Sequence, residues 1–454
     1  MSTATQEIYA RPRGISFEGF RSGIVSAIFI TSFYVKLEPA ITDFLGLLAL
    51  CLFFKSGLHF SRYLAAPILL LVIYVGSNII SCIPIDRPQF LVTNPNYLFY
   101  PLILAYTCLT GIFISAYVAG DPLVRYLQIE RAYWIGGTLG AILGLMVYFG
   151  FSPAVLLVSS VGSGHDEYFS SRVLGGFKDP NVFSTWLLMP IVSMMQAMMT
   201  RRLKLGFLSF TSLITMIVAL LLAFSRGAWA DLALAALIMI ILSILLTPSS
   251  GQRHRLMIAG LGAVGLALVL LLILLSDPAL RQVFEMRLHL VQSYDAGETG
   301  RFGNQLNSIP LLLSLPFGFG PYQFNLLYGV APHNTFINAF AAGGWSAGLA
   351  YILLCFTNLI FGMKAVFTRS PFQPFAIVVF SCLVAIILQG VQIDEEHWRH
   401  YFILMGLTWG LFAATMEYGA SGFTATSILE SWNVLPAQRL AATGRRRVGS
   451  QISP

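Results

Sequence analysis

Apolar residues run along this chain in long blocks separated by short polar breaks. A helix that crosses a bilayer needs roughly 20 mostly apolar residues. Twelve stretches meet or approach that length: 20–37, 39–54, 63–83, 97–119, 132–151, 182–200, 205–224, 227–246, 256–276, 334–361, 375–393 and 401–416. The first two meet at Lys36-Leu37-Glu38-Pro39, which predicts a tight hairpin or a tilted helix. The pattern breaks at length between Ser276 and Thr335, where Arg281, Arg287, His289, Arg301 and His333 stand among aromatics and glycines. A connector between two helices needs only a few residues, and loops this long are usually functional. Inside it, Leu280, Val283, Phe284, Arg287 and Leu288 fall at near-helical spacing, so 277–290 reads as an amphipathic helix lying on the membrane. Phe302–Leu315 reads as a second short apolar helix, Pro316–Pro321 as a turn, and Asn334 or Thr335 as the cap of the tenth spanning helix.

Composition turns this pattern into a class. The chain of 454 residues is 56% hydrophobic and 10% charged, where a soluble domain carries about 25% charged residues. The expected fold is an all-α polytopic membrane bundle of about 12 spanning helices, which excludes the soluble-enzyme classes. The formal net charge of +7 is scattered over short loops, so it does not point to nucleic acid. With the N-terminus in the cytoplasm, the inner segments hold 18 of the 27 Lys and Arg and the outer segments hold 9. That bias places both termini inside and the long loop outside. The organisation read from this is helices 1–9 over 1–276, an outer loop over 277–333, helices 10–12 over 334–416, and a disordered cytoplasmic tail over 417–454. The tail's Arg445-Arg446-Arg447 would face anionic lipid. The polar start lacks a cleavable signal pattern, so the first apolar run is expected to be retained. Five cysteines lie in or beside apolar segments without metal-ligand spacing and read as packing residues, with no metal site expected.

Some outer charges are oddly placed. Arg226 sits in Phe224-Ser225-Arg226-Gly227-Ala228, a turn almost too short to be a loop. It reads either as a snorkelling interfacial arginine or as a cation held at the mouth of the bundle, where an anion would sit. Arg301 follows Gly300, and His333 opens the tenth helix; each has a plain alternative as a loop or packing residue. The other outer loop, 152–181, adds Arg172 and Lys178 beside turn and helix-start signals at Gly175-Gly176 and Asp179-Pro180-Asn181. Its His165 and Asp166 read as surface residues. In the helix after His333, Gly343, Gly344 and Gly348 suggest close helix approach.

Taken in order, GGFKDPN (Gly175–Asn181), FSRGA (Phe224–Ala228), Gly300-Arg301, PFGFGPYQF (Pro316–Phe324) and PHNTFINAFAAGGWSAGL (Pro332–Leu349) resemble the O-antigen ligase and polysaccharide polymerase superfamily of bacterial inner membranes. The resemblance covers Gly175 to Leu349; the first 150 residues match only in layout. It implies a lipid-donor glycosyltransferase that uses no metal, nucleotide or other cofactor. The donor would be a glycan on undecaprenyl pyrophosphate, and the acceptor lipid A core or another glycan. The family's pattern assigns the pyrophosphate grip to Arg226 and Arg301 and the acceptor side to His333. Lys178 and Arg172 match its further basic positions loosely.

The chemistry suits these residue types. Breaking a glycosyl–pyrophosphate bond builds negative charge on the leaving oxygen, and a guanidinium is always charged and binds phosphate oxygens in a bidentate fork. An attacking hydroxyl needs a proton acceptor, and a histidine titrates near neutrality. Direct displacement would invert the anomeric centre. Three readings follow: a ligase, a repeat-unit or exopolysaccharide polymerase using the same donor, or, from another class, a lipid or solute transporter. A transporter tends to place ionisable groups or broken helices at the membrane midplane, often with internal repeats. Convergence of Arg226, Arg301 and His333 in one cavity is the expectation that separates transfer from transport.

Overall fold

The computed structural model describes residues 17–83, 95–151, 153, 172–204, 206–288, 297–298 and 300–420. The expectations for His165, Asp166, His289 and the tail from 421 on fall outside the described residues, as does the side chain of Arg287.

The described chain is helical, and its two backbone segments nearest to strand pairing make a single bridge between Tyr34 and Gly176. Helix is the expected outcome for apolar blocks of this length, because it satisfies every main-chain N–H and C=O within the segment. In order the α-helices are α1 Phe17–Thr31, α2 Ile41–Phe53, α3 Ala65–Ser81, α4 Phe99–Gly120, α5 Pro122–Tyr148, α6 Pro180–Trp186, α7 Leu188–Met199, α8 Phe207–Leu222 and α9 Arg226–Leu246. There follow α10 Ser250–Leu275, α11 Pro278–Leu288, α12 Arg301–Ser314, α13 Gln323–Tyr328, α14 Thr335–Phe367, α15 Gln373–Gln389 and α16 Arg399–Ala420. Six helical stretches among the described residues are long and apolar enough to cross a membrane: Arg62–Ser81, Phe99–Gly120, Pro180–Met199, Arg226–Leu246, Ser250–Leu275 and Thr335–Phe367. Ile41–Phe53, Phe207–Leu222 and Gln373–Gln389 are apolar and shorter.

The centre of the bundle is α16, which packs along α4, with α14 along α3 and α15 between α9 and α16. Small residues set the closest approach. A side chain at Gly406 would strike the Gly111 carbonyl, and one at Gly111 would meet the Phe402 carbonyl at 3.0 Å. On the flank, α10 leaves Ile258, Leu261 and Leu272 about two-thirds or more exposed, an apolar surface of the kind lipid covers. The five cysteines are free thiols; Cys108, Cys355 and Cys382 are buried in the core.

Two elements, one in the long loop and one just after it, take a form that the pattern did not specify. In α11, Leu280, Val283 and Phe284 pack on the bundle core, and Phe284 stacks on Trp229 of α9 with ring centroids 4.4 Å apart. Part of the apolar face expected to lie on lipid is therefore used against α9. Arg281 faces outward and pairs with Glu285. The second departure is in α14, which breaks at Gly344, where φ is 77° and ψ is −165°. Gly318 and Phe319 reach this break, and Phe319 N–H donates to the Ala341 carbonyl at 2.7 Å. Only glycine enters that region of backbone space freely, so Gly344 does more than allow two helices to approach.

Candidate functional site

At one end of the bundle the C-termini of α1, α8 and α15 meet the N-termini of α2, α6, α9, α14 and α16, and the segments between them enclose a cavity of about 520 Å³. Residues Arg172, Lys178, Arg226, Arg301 and His333 all line it. They come from segments far apart in sequence, so each is placed by its own local structure.

The segment 172–179 is tied into the bundle by its main chain. Val35 N–H donates to the Gly176 carbonyl at 2.9 Å, and Val173 N–H to the Leu222 carbonyl at 3.0 Å. Arg172 is buried. Its Nε donates to the Ala223 carbonyl at 2.8 Å, and its Nη2 to the Phe224 carbonyl at 3.3 Å and to Asn181 Oδ1 at 2.9 Å. Those carbonyls end α8, where helix geometry leaves acceptors unpaired. Phe224 then takes a positive φ of 47°, and the Ser225 side chain accepts the Ala228 N–H at 3.4 Å to cap α9. Arg226 is the first residue of α9 and faces the cavity half-buried. Arg172 thus fixes the turn that presents Arg226. Lys178 lies at the rim, 55% exposed, and pairs with Glu38 at 2.8 Å.

Another part of the lining, His333, stands in the run Pro332-His333-Asn334-Thr335. Arg301, the first residue of α12, donates from Nη2 to the His333 carbonyl at 3.2 Å. Gln305, one turn on, donates to the Pro332 carbonyl at 2.8 Å. His333 has a positive φ of 48°. Its N–H and that of Asn334 donate to the two carboxylate oxygens of Asp394 at 3.0 and 2.9 Å. Asn334 caps α14 through Ile337 N–H, and Thr335 bridges Ile393 and Glu395 through its hydroxyl. The histidine segment is therefore bound on one side to α12 and on the other to the loop between α15 and α16.

That loop holds the residues that sequence reasoning passed over. Asp394-Glu395-Glu396-His397-Trp398-Arg399-His400 has six ionisable residues in seven positions between two apolar helices. Density of ionisable groups beside hydrocarbon was the available signal. Asp394, His397, Trp398, Arg399 and His400 line the cavity. Arg399 makes a two-pronged pair with Asp43 of α2, both bonds at 2.7 Å. Glu396 is wholly buried, and its Oε1 accepts from Tyr100 Oη at 3.0 Å and from Asn338 Nδ2. His397 Nδ1 lies 3.3 Å from the same oxygen.

Burial and neighbouring charge set the ionisation of this loop. Burial, and then the charge of Glu396, push Asp394 up to about 7 against the pull of its two N–H donors. Burial holds Glu395 well above the usual carboxylate range, aided by nearby acids; neither of its carboxyl oxygens has a hydrogen-bond partner among the described residues. For Glu396 burial works upward, but the hydrogen bond and charge of His397 prevail and hold it low. For His397 burial works downward, and the hydrogen bond and charge of Glu396 prevail and hold it above the ordinary histidine value.

The cavity lining brings the cations Arg226 and Arg301 together with His333, His397 and His400. Among the described residues no group of three or more His, Cys, Asp or Glu is placed to hold a metal ion. Arg281 lies outside the cavity lining. No family model and no curated protein matches the chain.

Proposed function

We propose that this protein transfers a glycan from undecaprenyl pyrophosphate to an acceptor at the outer face of the bacterial inner membrane. The observation that carries this reading is the single cavity that gathers Arg226 and Arg301, each the first residue of a helix, with His333 at the end of an apolar bundle. Helix starts favour anions, and arginines there add permanent charge. In this reading the cavity end faces outward, both termini and the Arg201–Lys204 and Arg253–Arg255 turns face the cytoplasm, and α1, α2, α5, α8, α15 and α16 complete the twelve spans. The lipid tail remains among the helices while the pyrophosphate meets Arg226 and Arg301. A transporter reading places its key charges at the midplane; the cation-lined cavity at one end favours transfer instead.

The acceptor hydroxyl attacks the anomeric carbon, the bond to the pyrophosphate oxygen breaks, and the configuration inverts. Arg226 and Arg301 stabilise the departing charge; a preorganised donor of this kind is worth roughly 3 kcal/mol. Arg172 supports the grip by holding the turn before Arg226, Lys178 sits at the entrance, and the resemblance assigns the acceptor side to His333.

Chromosomal Arg226→Ala and Arg301→Ala variants test the reading through the glycans that the cells make. Stable variants that make normal glycan would sink it. A deletion strain separates the two transfer reactions: shortened polymer marks a repeat-unit polymerase, and full-length polymer stranded on its lipid carrier marks a ligase.

A further inference from the structure

His397 combines an open face with a carboxylate fixed behind it. Its side chain is 47% exposed and lines the cavity, and its Nδ1 lies 3.3 Å from Oε1 of the wholly buried Glu396. That oxygen is held in turn by Tyr100 on α4 and Asn338 on α14. A carboxylate fixed in this way keeps Nδ1 in its N–H form and leaves the lone pair on Nε2, the relation found wherever a histidine base is oriented by an acid. His333 is engaged differently. Its main-chain N–H donates to Asp394 and its main-chain carbonyl accepts from Arg301.

We infer that His397, oriented by Glu396, accepts the proton of the attacking sugar hydroxyl. This rests on the glycan-transfer reading. In the step, the acceptor oxygen bonds to the anomeric carbon and the anomeric carbon–oxygen bond to the pyrophosphate breaks. The electron pair leaves with the pyrophosphate, and the hydroxyl proton passes to Nε2 of His397.

A base works in its neutral form, so transfer slows as pH falls through the His397 pKa, which its surroundings hold above the ordinary value. Those surroundings come from several elements. Glu396 and Asp394 on its own loop raise it, with Glu396 the stronger, and Arg399 at the start of α16 lowers it. Tyr100 of α4 donates to Glu396, and Glu38 and His333 share the cavity lining. Glu396→Gln removes the strongest raising charge and moves the acid limb to lower pH. Asp394→Asn moves it less. His333→Asn tolerates the positive φ and keeps the main-chain carbonyl that Arg301 uses, so it leaves the limb in place.

The experiment uses cells of the source strain with chromosomal variants, permeabilised so that their own lipid-linked glycan is the donor, and follows labelled sugar entering product across acid to neutral pH. The expected result is that His397→Gln loses about 10²-fold or more in rate, the low end for a general base, and that added imidazole restores part of the activity of His397→Ala. Imidazole does not repair a merely structural loss. Full rate with an unchanged acid limb in His397→Gln overturns the inference, as does a loss without rescue together with an unmoved limb in Glu396→Gln. If Arg226→Ala and Arg301→Ala also transfer normally, the transfer reading itself has failed. If those two are inactive while His397→Gln is normal, only the role of His397 falls.

Discussion

The guanidinium of Arg301 donates to the main-chain carbonyl of His333 across 3.2 Å and 32 positions of sequence. That bond uses one nitrogen of a five-donor fork and sets its direction, while Arg301 still lines the cavity. A lysine at 301 can satisfy the carbonyl or a phosphate, as a point charge, but cannot span both as a planar fork. Arg301→Lys is therefore expected to be impaired despite its conserved charge, with Arg301→Ala losing about 10²–10³ in rate, the usual cost of one preorganised donor. Labelled-sugar incorporation by membranes with equal amounts of each variant measures this. Equal activity for lysine and arginine would remove the directional role.

Arg172 predicts a different kind of loss. Replacing it with alanine strands the carbonyls of Ala223 and Phe224 and the Asn181 amide oxygen. Each buried group left without a partner costs about 1–3 kcal/mol. Arg172→Ala should lower the melting temperature of the detergent-solubilised protein markedly. Lys178→Ala should barely change it, because an ion pair as exposed as Lys178–Glu38 is worth about 0–1 kcal/mol. Equal melting curves for the two variants would contradict the positioning role of Arg172.

How far these roles could be read from the chain depends on how local their causes are. The apolar blocks announce the helices, and the caps at Ser225 and Asn334 follow from residue type. The two short helices of the long loop were legible from periodicity, but not that Phe284 would stack on Trp229, a contact 55 positions away. Arg172 reads as a cation in a loop; that its guanidinium turns to carbonyls at 223 and 224 depends on where α8 ends in space. The roles in the run 394–400 are not legible in sequence because they depend on Tyr100, Asn338 and His333, none of them its neighbours in the chain. Gly344, beside Gly343, reads as a packing glycine, and only the approach of Pro316 and Phe317 gives it a positive φ.

Gly344→Ala tests that last point. The dihedral region is essentially closed to other residues, at a cost of about 1–3 kcal/mol. An added Cβ would also collide with the Pro316 carbonyl and sit 2.6 Å from main-chain atoms of Phe317. Backbone cannot step aside as a side-chain end can. Membrane levels and melting temperature of Gly344→Ala should both fall well below those of Gly262→Ala, where an added Cβ meets nothing within 4 Å. If both alanines are tolerated alike, the break in α14 is not held by glycine.

Asp394 ties stability to pH in a calculable direction. Its folded pKa is pushed from 3.8 up to about 7, first by burial and then by Glu396. A carboxyl whose folded pKa exceeds its unfolded one binds its proton more tightly in the folded state. Its contribution is therefore complete below the unfolded pKa and is lost as pH rises toward about 7. Asp394→Asn keeps a neutral side chain at every pH and removes this slope, though its amide can accept only one of the two N–H bonds from His333 and Asn334. The variant should start less stable than wild type in acid, and the gap should narrow as pH rises to neutrality. Melting temperatures of both proteins across that window measure the slope directly. A gap that widens toward neutral pH would mean that the two N–H donors outweigh burial and that Asp394 is ionised throughout.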